Sequence, residues 1–230
     1  MSKIDNLSKI KLFNGLNAEK LGEIEARCSW LVYDSNTQII DQQSHTTNIF
    51  FVTKGSVRVV NFSLSGREIA FGEVKIGGYF GELAAIDGRP RSASVVSLSA
   101  CELAVLQQEE LITLIKREPS IALNLLLGLT GLVRSSTERI MELSTVAANN
   151  RVQYEILRRA REHLVSDLSA NIHPIPLHSE IASRVSTTRE TVSRVMNDLA
   201  RRGVVERKKD SIFIRDINAL NDLIYQTQDT

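Results

Sequence analysis

The sequence has few of the residues from which metal centres and disulfide frameworks are built. Its 230 residues include two cysteines, Cys28 and Cys101, and four histidines. The cysteines lie far apart and show none of the short, repeated spacings of zinc sites and disulfide frameworks. We therefore predict no bound metal and no disulfide, and a reducing compartment fits this cysteine content.

Long apolar segments are also absent. The most apolar stretch, residues 121–133, contains Asn124 and Thr130 and is too short to cross a bilayer. The first residues of the chain lack the apolar core of a signal peptide. These absences predict no membrane contact and a cytoplasmic location.

The chain has little net charge, +1, so the overall balance indicates no partner. With 43% hydrophobic and 24% charged residues, the composition argues against disorder and is typical of a globular protein. The charge is unevenly distributed, however. Residues 184–209 contain eight basic and three acidic residues, a local charge of +5. A basic segment in a nearly neutral protein is typical of nucleic-acid binding.

Short β-rich runs dominate residues 31–106, after a helical pattern over residues 4–28. The predicted strands are 38–41, 48–53, 56–62, 68–74, 94–98 and 102–106. Seven of the twelve glycines lie between Gly55 and Gly88, and turns are predicted at Ser65-Gly66 and Asp87-Gly88, among others. Many short strands separated by tight turns predict a small antiparallel sandwich or barrel.

A long helix is predicted from Pro119 to about residue 149. Its apolar residues follow a seven-residue repeat that indicates a two-stranded coiled coil and a homodimer. The repeat consists of Leu126, Leu129, Val133, Ser136, Ile140, Leu143 and Ala147. The alternative is one amphipathic helix packed on its own barrel. Ser136 is the polar member of this repeat, either as a register device or as a contact to a ligand.

The last third of the chain has the element order of a winged helix-turn-helix. After a hinge at Asn149-Asn150, we predict a helix over 151–168, a loop over 171–176 and a short helix over 178–185. A turn at 186–188, a second helix and two strands at 204–206 and 212–214 follow. A helix, a short turn, a helix and a hairpin make up a winged DNA-binding motif.

The second helix of that motif, residues 188–203, has two different faces. Val192, Val195, Met196 and Leu199 recur at helical spacing and would face a core. Arg189, Glu190 and Arg194 lie on the other side, and these residue types can read guanine and cytosine edges. The alternative is a solvated surface helix. Glu190 also fits a capping box with Thr187, which would stabilise the helix start instead.

A candidate anion site lies between residues 79 and 95. Gly81-Glu82-Leu83 starts a short helical run after a strand, and Arg91-Ser92 follows a tight turn. A helix start, a guanidinium and a hydroxyl suit a phosphate. Glu82 would repel a bare phosphate but could accept a hydrogen bond from a sugar hydroxyl, so a nucleotide is indicated. The alternative is a barrel corner closed by an Arg91–Glu82 salt bridge.

These motifs carry a family resemblance over nearly the whole chain. Gly81-Glu82-Leu83 with Arg91-Ser92-Ala93, and separately the run from Arg189 to Arg194, are similar to two signatures of the bacterial CRP/FNR transcription regulators. The chain resembles the cyclic AMP receptor (catabolite activator) branch of that family. The resemblance implies an α+β chain: a cyclic-nucleotide-binding antiparallel β-barrel (jelly roll) over 1–117, a dimerisation helix over 118–149 and a winged helix-turn-helix over 150–230.

The resemblance also implies roles for single residues. Arg91 and Ser92 would hold the cyclic phosphate of cAMP, or of cGMP, within the cassette formed with Gly81, Leu83 and Ala93, and Glu82 would hold the ribose. Ser136 and Thr137 would meet the base, one from each subunit. Arg189, Glu190 and Arg194, with Thr188 and Thr191 beside them, would bind a TGTGA-like palindrome in double-stranded DNA. RNA polymerase is a further partner that the resemblance allows.

Three departures from the family pattern bear on these roles. The loop between Leu83 and Arg91 is one residue shorter, Ser136-Thr137 reverses the order of the hydroxyl pair, and Ser186 stands where a glycine is usual. Two alternatives to a cAMP-gated regulator therefore stay open. One is a regulator that binds DNA without nucleotide or senses another effector. The other is a cupin-like enzyme, which would need clustered metal ligands.

Overall fold

The chain divides into two units, residues 1–134 and 135–230. The computed structural model describes residues 7–63 and 68–226. The turn predicted at Ser65-Gly66 and residues 4–6 of the first predicted helix lie outside these ranges. Among the described residues, no helix combines the length and the apolar character needed to cross a membrane.

The described residues of the first unit form eight strands in two antiparallel sheets, which confirms the predicted β-barrel architecture. The strands are β1 (Ser29–Tyr33), β2 (Gln38–Ile40), β3 (Ile49–Lys54), β4 (Ser56–Phe62), β5 (Glu68–Lys75), β6 (Tyr79–Phe80), β7 (Ser94–Ser97) and β8 (Cys101–Leu106). One sheet has the order β1-β8-β3-β6 and the other β2-β7-β4-β5. Six of these strands were predicted from the sequence, whereas β1 and β6 were not.

The two sheets are held together by apolar side chains that point between them. Val57 and Val95 of one sheet join Val52 and Leu103 of the other in a single buried cluster. Strand β3 is buried on both faces, because its alternate residues Ile49 and Phe51 pack under helices. Gly55 makes the turn from β3 to β4 at a φ of +78°, and a Cβ there would lie 2.4 Å from the Ala100 carbonyl oxygen.

The helical segment before the barrel is not the single helix predicted over residues 4–28. A 3₁₀ helix, Lys11–Phe13, is followed by α1, Ala18–Arg27. Gly15 between them has a φ of +90°, which breaks a helix. Asn17 caps α1 because its side-chain oxygen accepts a hydrogen bond from the Lys20 amide over 3.0 Å.

Three more helices follow α1 along the chain before residue 146. They are α2 (Glu82–Asp87), α3 (Gln108–Arg117) and the long α4 (Pro119–Thr145). Ile121 and Leu125 of α4 are buried against the barrel helices, and Leu129 packs partly on the same cluster. Leu129 therefore belongs to the barrel-facing side, not to the exposed seam in which we placed it. Leu126 and Val133 are exposed, so an apolar stripe does remain on the other side.

The long helix ends before the predicted hinge. Helix α4 ends at Thr145, and α5 spans Ala148–Glu162. Asn149 and Asn150 therefore lie in the first turn of α5, and the break falls on Val146 and Ala147. The reason is a hydrogen bond of 2.7 Å from Arg151 Nη1 to the Val146 carbonyl, which satisfies an oxygen left unpaired by the end of the helical segment.

The second unit confirms a winged helix-turn-helix. Its elements are α5, β9 (Ala170–Ile172), α6 (His178–Arg184), α7 (Arg189–Arg201), β10 (Val205–Arg207), β11 (Ile212–Ile214) and α8 (Ile217–Gln226). The strands form one antiparallel sheet, β10-β11-β9. Two predictions were wrong here. The helix expected to reach residue 168 ends at Glu162, and the loop expected over 171–176 begins as strand β9, which pairs with β11.

Candidate functional sites

Gly81 and Arg91 are in direct contact at the start of α2. Gly81 is the N-cap of α2 and has a left-handed φ of 81°. A Cβ at this position would lie 2.6 Å from Arg91 Nη1 and 3.0 Å from the Asn48 carbonyl oxygen. Only glycine permits both the turn and the approach of the guanidinium, so the predicted cassette is held together by this pair.

Arg91 is buried, with 3% of its surface exposed, and its guanidinium is bonded to backbone and hydroxyl oxygens. Nη1 donates to the Gly81 carbonyl over 2.9 Å and Nη2 to the Asn48 carbonyl over 2.7 Å. Nε donates to Thr46 Oγ1 over 3.0 Å. Burial lowers the pKa of Arg91, although the charge of Glu82 opposes this. Since a guanidinium has five N–H groups, two stay available to an anion.

Thr46 and Asn48, whose oxygens hold Arg91, belong to no motif of the sequence. They stand immediately before β3, more than forty residues from Arg91 in the chain. Neither spacing nor residue type could identify them, because only the barrel topology brings the start of β3 beside the end of the α2 loop.

Glu82 lies near Arg91 without an ion pair to it among the described residues, so the salt-bridged barrel corner is not what the structure contains. Burial raises the pKa of Glu82, while a hydrogen bond from its own backbone amide and the charge of Arg91 act in the opposite direction. The carboxyl group is thus partly desolvated and electrostatically coupled to the guanidinium. It is suited to accept a hydrogen bond from a neutral hydroxyl.

The remaining cassette residues lie beside this pair. Leu83 and Ser92 are exposed, and Ala93 is half-buried. The Ser92 carbonyl accepts a hydrogen bond from Asn61 Nδ2 over 3.1 Å, which fixes the backbone while the side chain faces solvent. Ser136 and Thr137 lie on the part of α4 that belongs to the second unit, and both are exposed.

No group of three or more His, Cys, Asp or Glu residues that could hold a metal occurs within residues 7–63 and 68–226. The two cysteines are free thiols, one half-buried and one buried. Burial is the main cause that raises the pKa of Cys28 to about 12. That thiol therefore stays protonated and unreactive at neutral pH.

Helix α7 has the two faces that its sequence predicts. Val192, Val195, Met196 and Leu199 are buried in the core of the second unit. Arg189, Glu190 and Arg194 are exposed on the opposite side. The buried apolar face thus anchors the helix in the core, and the opposite face exposes charged side chains.

The start of α7 is capped by Thr188, and the capping box proposed for Thr187 is wrong. Thr188 Oγ1 accepts a hydrogen bond from the Thr191 amide over 3.2 Å, whereas Thr187 is buried. The pKa of Glu190 is lowered first by its own backbone amide and then by the Thr188 hydroxyl. Glu190 therefore also interacts with the helix start, and its carboxylate is still exposed to solvent.

Arg151 fixes the turn between α6 and α7. Its Nε donates to the Val185 carbonyl over 2.9 Å and its Nη2 to the Ser186 carbonyl over 3.2 Å. Ser186 has a left-handed φ of 53°, a conformation for which glycine is better suited. Bonds from Arg151 to both carbonyls of this turn compensate for the strain of a non-glycine residue there. No pattern in the sequence predicted this role of Arg151.

Two models of known families match this chain, one over each half. A family model described as a cyclic nucleotide-binding domain matches residues 30–118. A model described as a Crp-like helix-turn-helix domain matches residues 151–223. The first match includes the Gly81–Arg91 cassette, and the second includes α6, α7 and the wing.

Individual relatives match over most of the chain. The cyclic AMP receptor protein of Thermus thermophilus is 31% identical over 214 residues, covering 93% of this chain and 96% of the relative. The cAMP-activated global transcriptional regulator CRP of Escherichia coli is 25% identical, covering 82% and 90%. The structure of the c-di-GMP responsive global regulator CLP of Xanthomonas campestris has a TM-score of 0.76 at 19% identity, covering 86% and 99%.

Proposed function

Because the chain belongs to the CRP/FNR family of transcription regulators, we propose that it is a homodimer whose DNA binding is gated by a cyclic nucleotide, with cAMP as the effector. The family makes it a DNA-binding regulator and not an enzyme. The observation that carries the nucleotide part is the Arg91–Gly81 contact, which holds a guanidinium against the start of α2.

The cassette offers complementary groups to a cyclic nucleotide. Arg91 supplies two uncommitted N–H donors and Ser92 an exposed hydroxyl. Glu82 accepts a hydrogen bond from the ribose 2′-hydroxyl. Ser136 and Thr137 contact the base from the two subunits, and cGMP is the second candidate effector.

On the DNA side, α7 enters the major groove at its N-terminal end, where Arg189 and Glu190 lie. Arg189 and Arg194 read guanines of a TGTGA-like half-site, while Thr188 and Thr191 lie close to the backbone. Two copies of α7 about 34 Å apart reach successive major grooves, so a palindromic site is required. RNA polymerase is a further partner of this assembly.

A second candidate function is DNA binding without nucleotide control. It is favoured by the hydrogen bonds of Arg91 to Thr46, Gly81 and Asn48, which give this guanidinium a structural role in the fold. Calorimetric titration with cAMP, cGMP and c-di-GMP separates the candidates. We expect saturable heat with cAMP and weaker heat with cGMP. Absence of heat with all three nucleotides contradicts nucleotide control.

Ser92→Ala is the variant of choice for that titration. Its hydroxyl is exposed, whereas replacing Arg91 removes three hydrogen bonds of a buried side chain and endangers folding. Loss of a hydrogen bond to a charged phosphate should weaken cAMP binding by about tenfold. Ser179→Ala removes an exposed serine hydroxyl of the second unit and should bind cAMP like the wild type.

DNA binding is then measured by fluorescence anisotropy on a TGTGA palindrome, with and without cAMP. A gated regulator binds the duplex more tightly when cAMP is present. Equal affinity in both conditions supports the second candidate function.

A further inference from the structure

The loop between β2 and β3 wraps around Arg91 from its backbone to the end of its side chain. The Gln43 amide donates to the Arg91 carbonyl over 2.9 Å, and the Arg91 amide donates to the Ser44 carbonyl over 2.9 Å. Further along the loop, Thr46 Oγ1 accepts from Nε over 3.0 Å and the Asn48 carbonyl accepts from Nη2 over 2.7 Å. One loop therefore holds both the backbone and the side chain of this arginine.

The backbone of this loop is tied to the neighbouring strand β7. The Gln42 amide donates to Ser94 Oγ over 2.9 Å, and Ser94 is buried at the start of β7. Gln43 then turns the chain with a left-handed φ of 66°. Because the sheet sets the position of the loop, Thr46 is presented to Arg91 from a fixed backbone.

Thr46 differs from the other two acceptors of the guanidinium because its oxygen belongs to a side chain. Gly81 and Asn48 supply backbone carbonyls, which a substitution does not remove. Thr46 Oγ1 also lies 3.4 Å from Ser44 Oγ, so the hydroxyl can donate its own hydrogen to Ser44 while it accepts from Arg91. Thr46 is exposed, and its replacement disturbs no core packing.

The acceptors around Arg91 orient its guanidinium without neutralising it. They are a hydroxyl and two carbonyls, and the face of the Phe50 ring lies beside them, 5.7 Å from Arg91 Cζ. Since a guanidinium is planar and rigid, holding Nε also fixes the plane in which the remaining N–H groups point. The positive charge is thus held in one orientation and still attracts an anion.

We propose that Thr46 is a positioning residue for nucleotide binding, because its hydroxyl holds the Arg91 guanidinium in the orientation that meets the cyclic phosphate. This role rests on the proposed nucleotide binding. Thr46 acts through Arg91 and not by contact with the phosphate. A group that is already oriented loses less freedom when the ligand binds, so this contact contributes to affinity.

Calorimetric titration of two Thr46 variants tests the role of the hydroxyl. Thr46→Val keeps the shape of the side chain and removes the acceptor of Nε. It should weaken cAMP and cGMP binding by the same factor, about three- to tenfold, because both nucleotides carry the same cyclic phosphate. Thr46→Ser keeps the hydroxyl and should restore wild-type affinity. Thr47→Val is the matched control, since the half-buried Thr47 makes no hydrogen bond to Arg91 among the described residues.

Thr46→Asp separates positioning from a merely structural role. The new carboxylate can accept from Nε and pair with the guanidinium, so urea unfolding should show a stability no lower than that of the wild type. The same carboxylate competes with the phosphate for Arg91, so the affinity for cAMP should fall on the order of a hundredfold. Thr47→Asp adds an equal charge next to this position and should cause a much smaller loss. A merely structural Thr46 would give a stable Thr46→Asp protein with normal affinity.

Two results would overturn this role of Thr46. The first is normal affinity for both nucleotides in Thr46→Val, whatever Thr46→Asp shows. The second is a loss of affinity that Thr46→Ser shares with Thr46→Val, because the hydroxyl is then not its cause. In both cases the wild type still binds nucleotide and the proposed function stands. A wild-type protein that binds neither cAMP nor cGMP overturns the proposed nucleotide control together with this role.

Discussion

Arg194 donates a hydrogen bond of 3.3 Å to the side-chain oxygen of Asn149. One of the two arginines assigned to base reading is thus engaged by a residue in the first turn of α5, next to the break that ends α4. The same break is held by Arg151, which bonds the Val146 carbonyl and both carbonyls of the helix-turn-helix turn. The joint between the long helix and the recognition helix is therefore a connected set of arginine contacts.

Asn149→Ala should increase DNA affinity because it frees Arg194 for a base. An exposed hydrogen bond is worth about 0.5–1 kcal/mol, so the expected increase is roughly two- to fivefold in an anisotropy titration. Asn149→Asp is the informative counterpart, since a carboxylate binds the guanidinium more strongly and should lower DNA affinity. Lower affinity in Asn149→Ala would show that Asn149 supports Arg194 in the DNA-bound state instead.

Gly128→Ala should destabilise the first unit. A Cβ on Gly128 would lie 2.1 Å from Tyr79 Oη, in the strand that leads directly to Gly81. Such overpacking costs about 1–3 kcal/mol, because the phenol or the helix has to move. Urea unfolding followed by the fluorescence of Trp30, the single tryptophan, reports on this unit because Trp30 packs on the same cluster as Leu125.

Two further variants control the Gly128 measurement. Gly131→Ala meets no atom within 4 Å and should stabilise the helix by up to about 1 kcal/mol through helix propensity. Tyr79→Phe in the Gly128→Ala background removes the clashing oxygen and should recover part of the loss. If Gly128→Ala is stabilised as much as Gly131→Ala, then α4 does not pack closely against Tyr79 at position 128.

Val133→Asp should prevent dimer formation. Val133 is 65% exposed on the apolar stripe of α4, together with Leu126 and Ile140. A charge buried in a dimer interface costs several kcal/mol, so sedimentation equilibrium should show monomer where the wild type is dimeric. Val32→Asp is the matched control, because Val32 is a 76% exposed valine on strand β1 outside the stripe. A dimeric Val133→Asp protein would place the interface elsewhere.

The spacing of residue types along the chain predicted those elements whose formation depends on residues close together in the sequence. Strand β4 was predicted with its observed bounds, and the buried face of α7 follows from the spacing of Val192, Val195, Met196 and Leu199. Strand β1 was missed because Val32 and its neighbours are largely exposed and have no simple alternation. Strand β6 has only two residues and exists through its pairing with β3.

Contacts between distant parts of the chain could not be predicted. The cassette motif identified Arg91, but its acceptors at Thr46 and Asn48 depend on where β3 begins in the sheet. The asparagine pair suggested a hinge, yet the break falls on Val146 and Ala147, where Arg151, the residue after the pair, bonds the Val146 carbonyl. Leu129 fits a heptad by spacing, whereas packing on the barrel cluster decides which face it joins.

Glu155 should contribute stability that is lost in acid. This carboxylate is buried and contacts Arg158 over 2.8 Å, Arg159 over 2.7 Å and Arg184 over 3.2 Å. Burial raises the pKa of Glu155, but hydrogen bonds from Arg158 and Arg159 and the charge of Arg184 together outweigh it, so the pKa is lowered from 4.5. A carboxyl group whose pKa is lower in the folded chain than in the unfolded chain stabilises the fold at pH values above the unfolded pKa. This stabilisation is lost as the pH falls through the folded pKa.

Glu155→Gln should therefore lower the free energy of unfolding of the second unit by about 3 kcal/mol at neutral pH, because it removes the buried carboxylate that Arg158, Arg159 and Arg184 share. The measurement is urea unfolding followed by far-UV circular dichroism between pH 7 and pH 3. The difference from the wild type should shrink as Glu155 becomes protonated. Glu162→Gln, which removes an exposed partner of Arg158 in the same helix, should cost less than about 1 kcal/mol at neutral pH. A Glu155→Gln difference that stays constant down to pH 3 would contradict the lowered pKa.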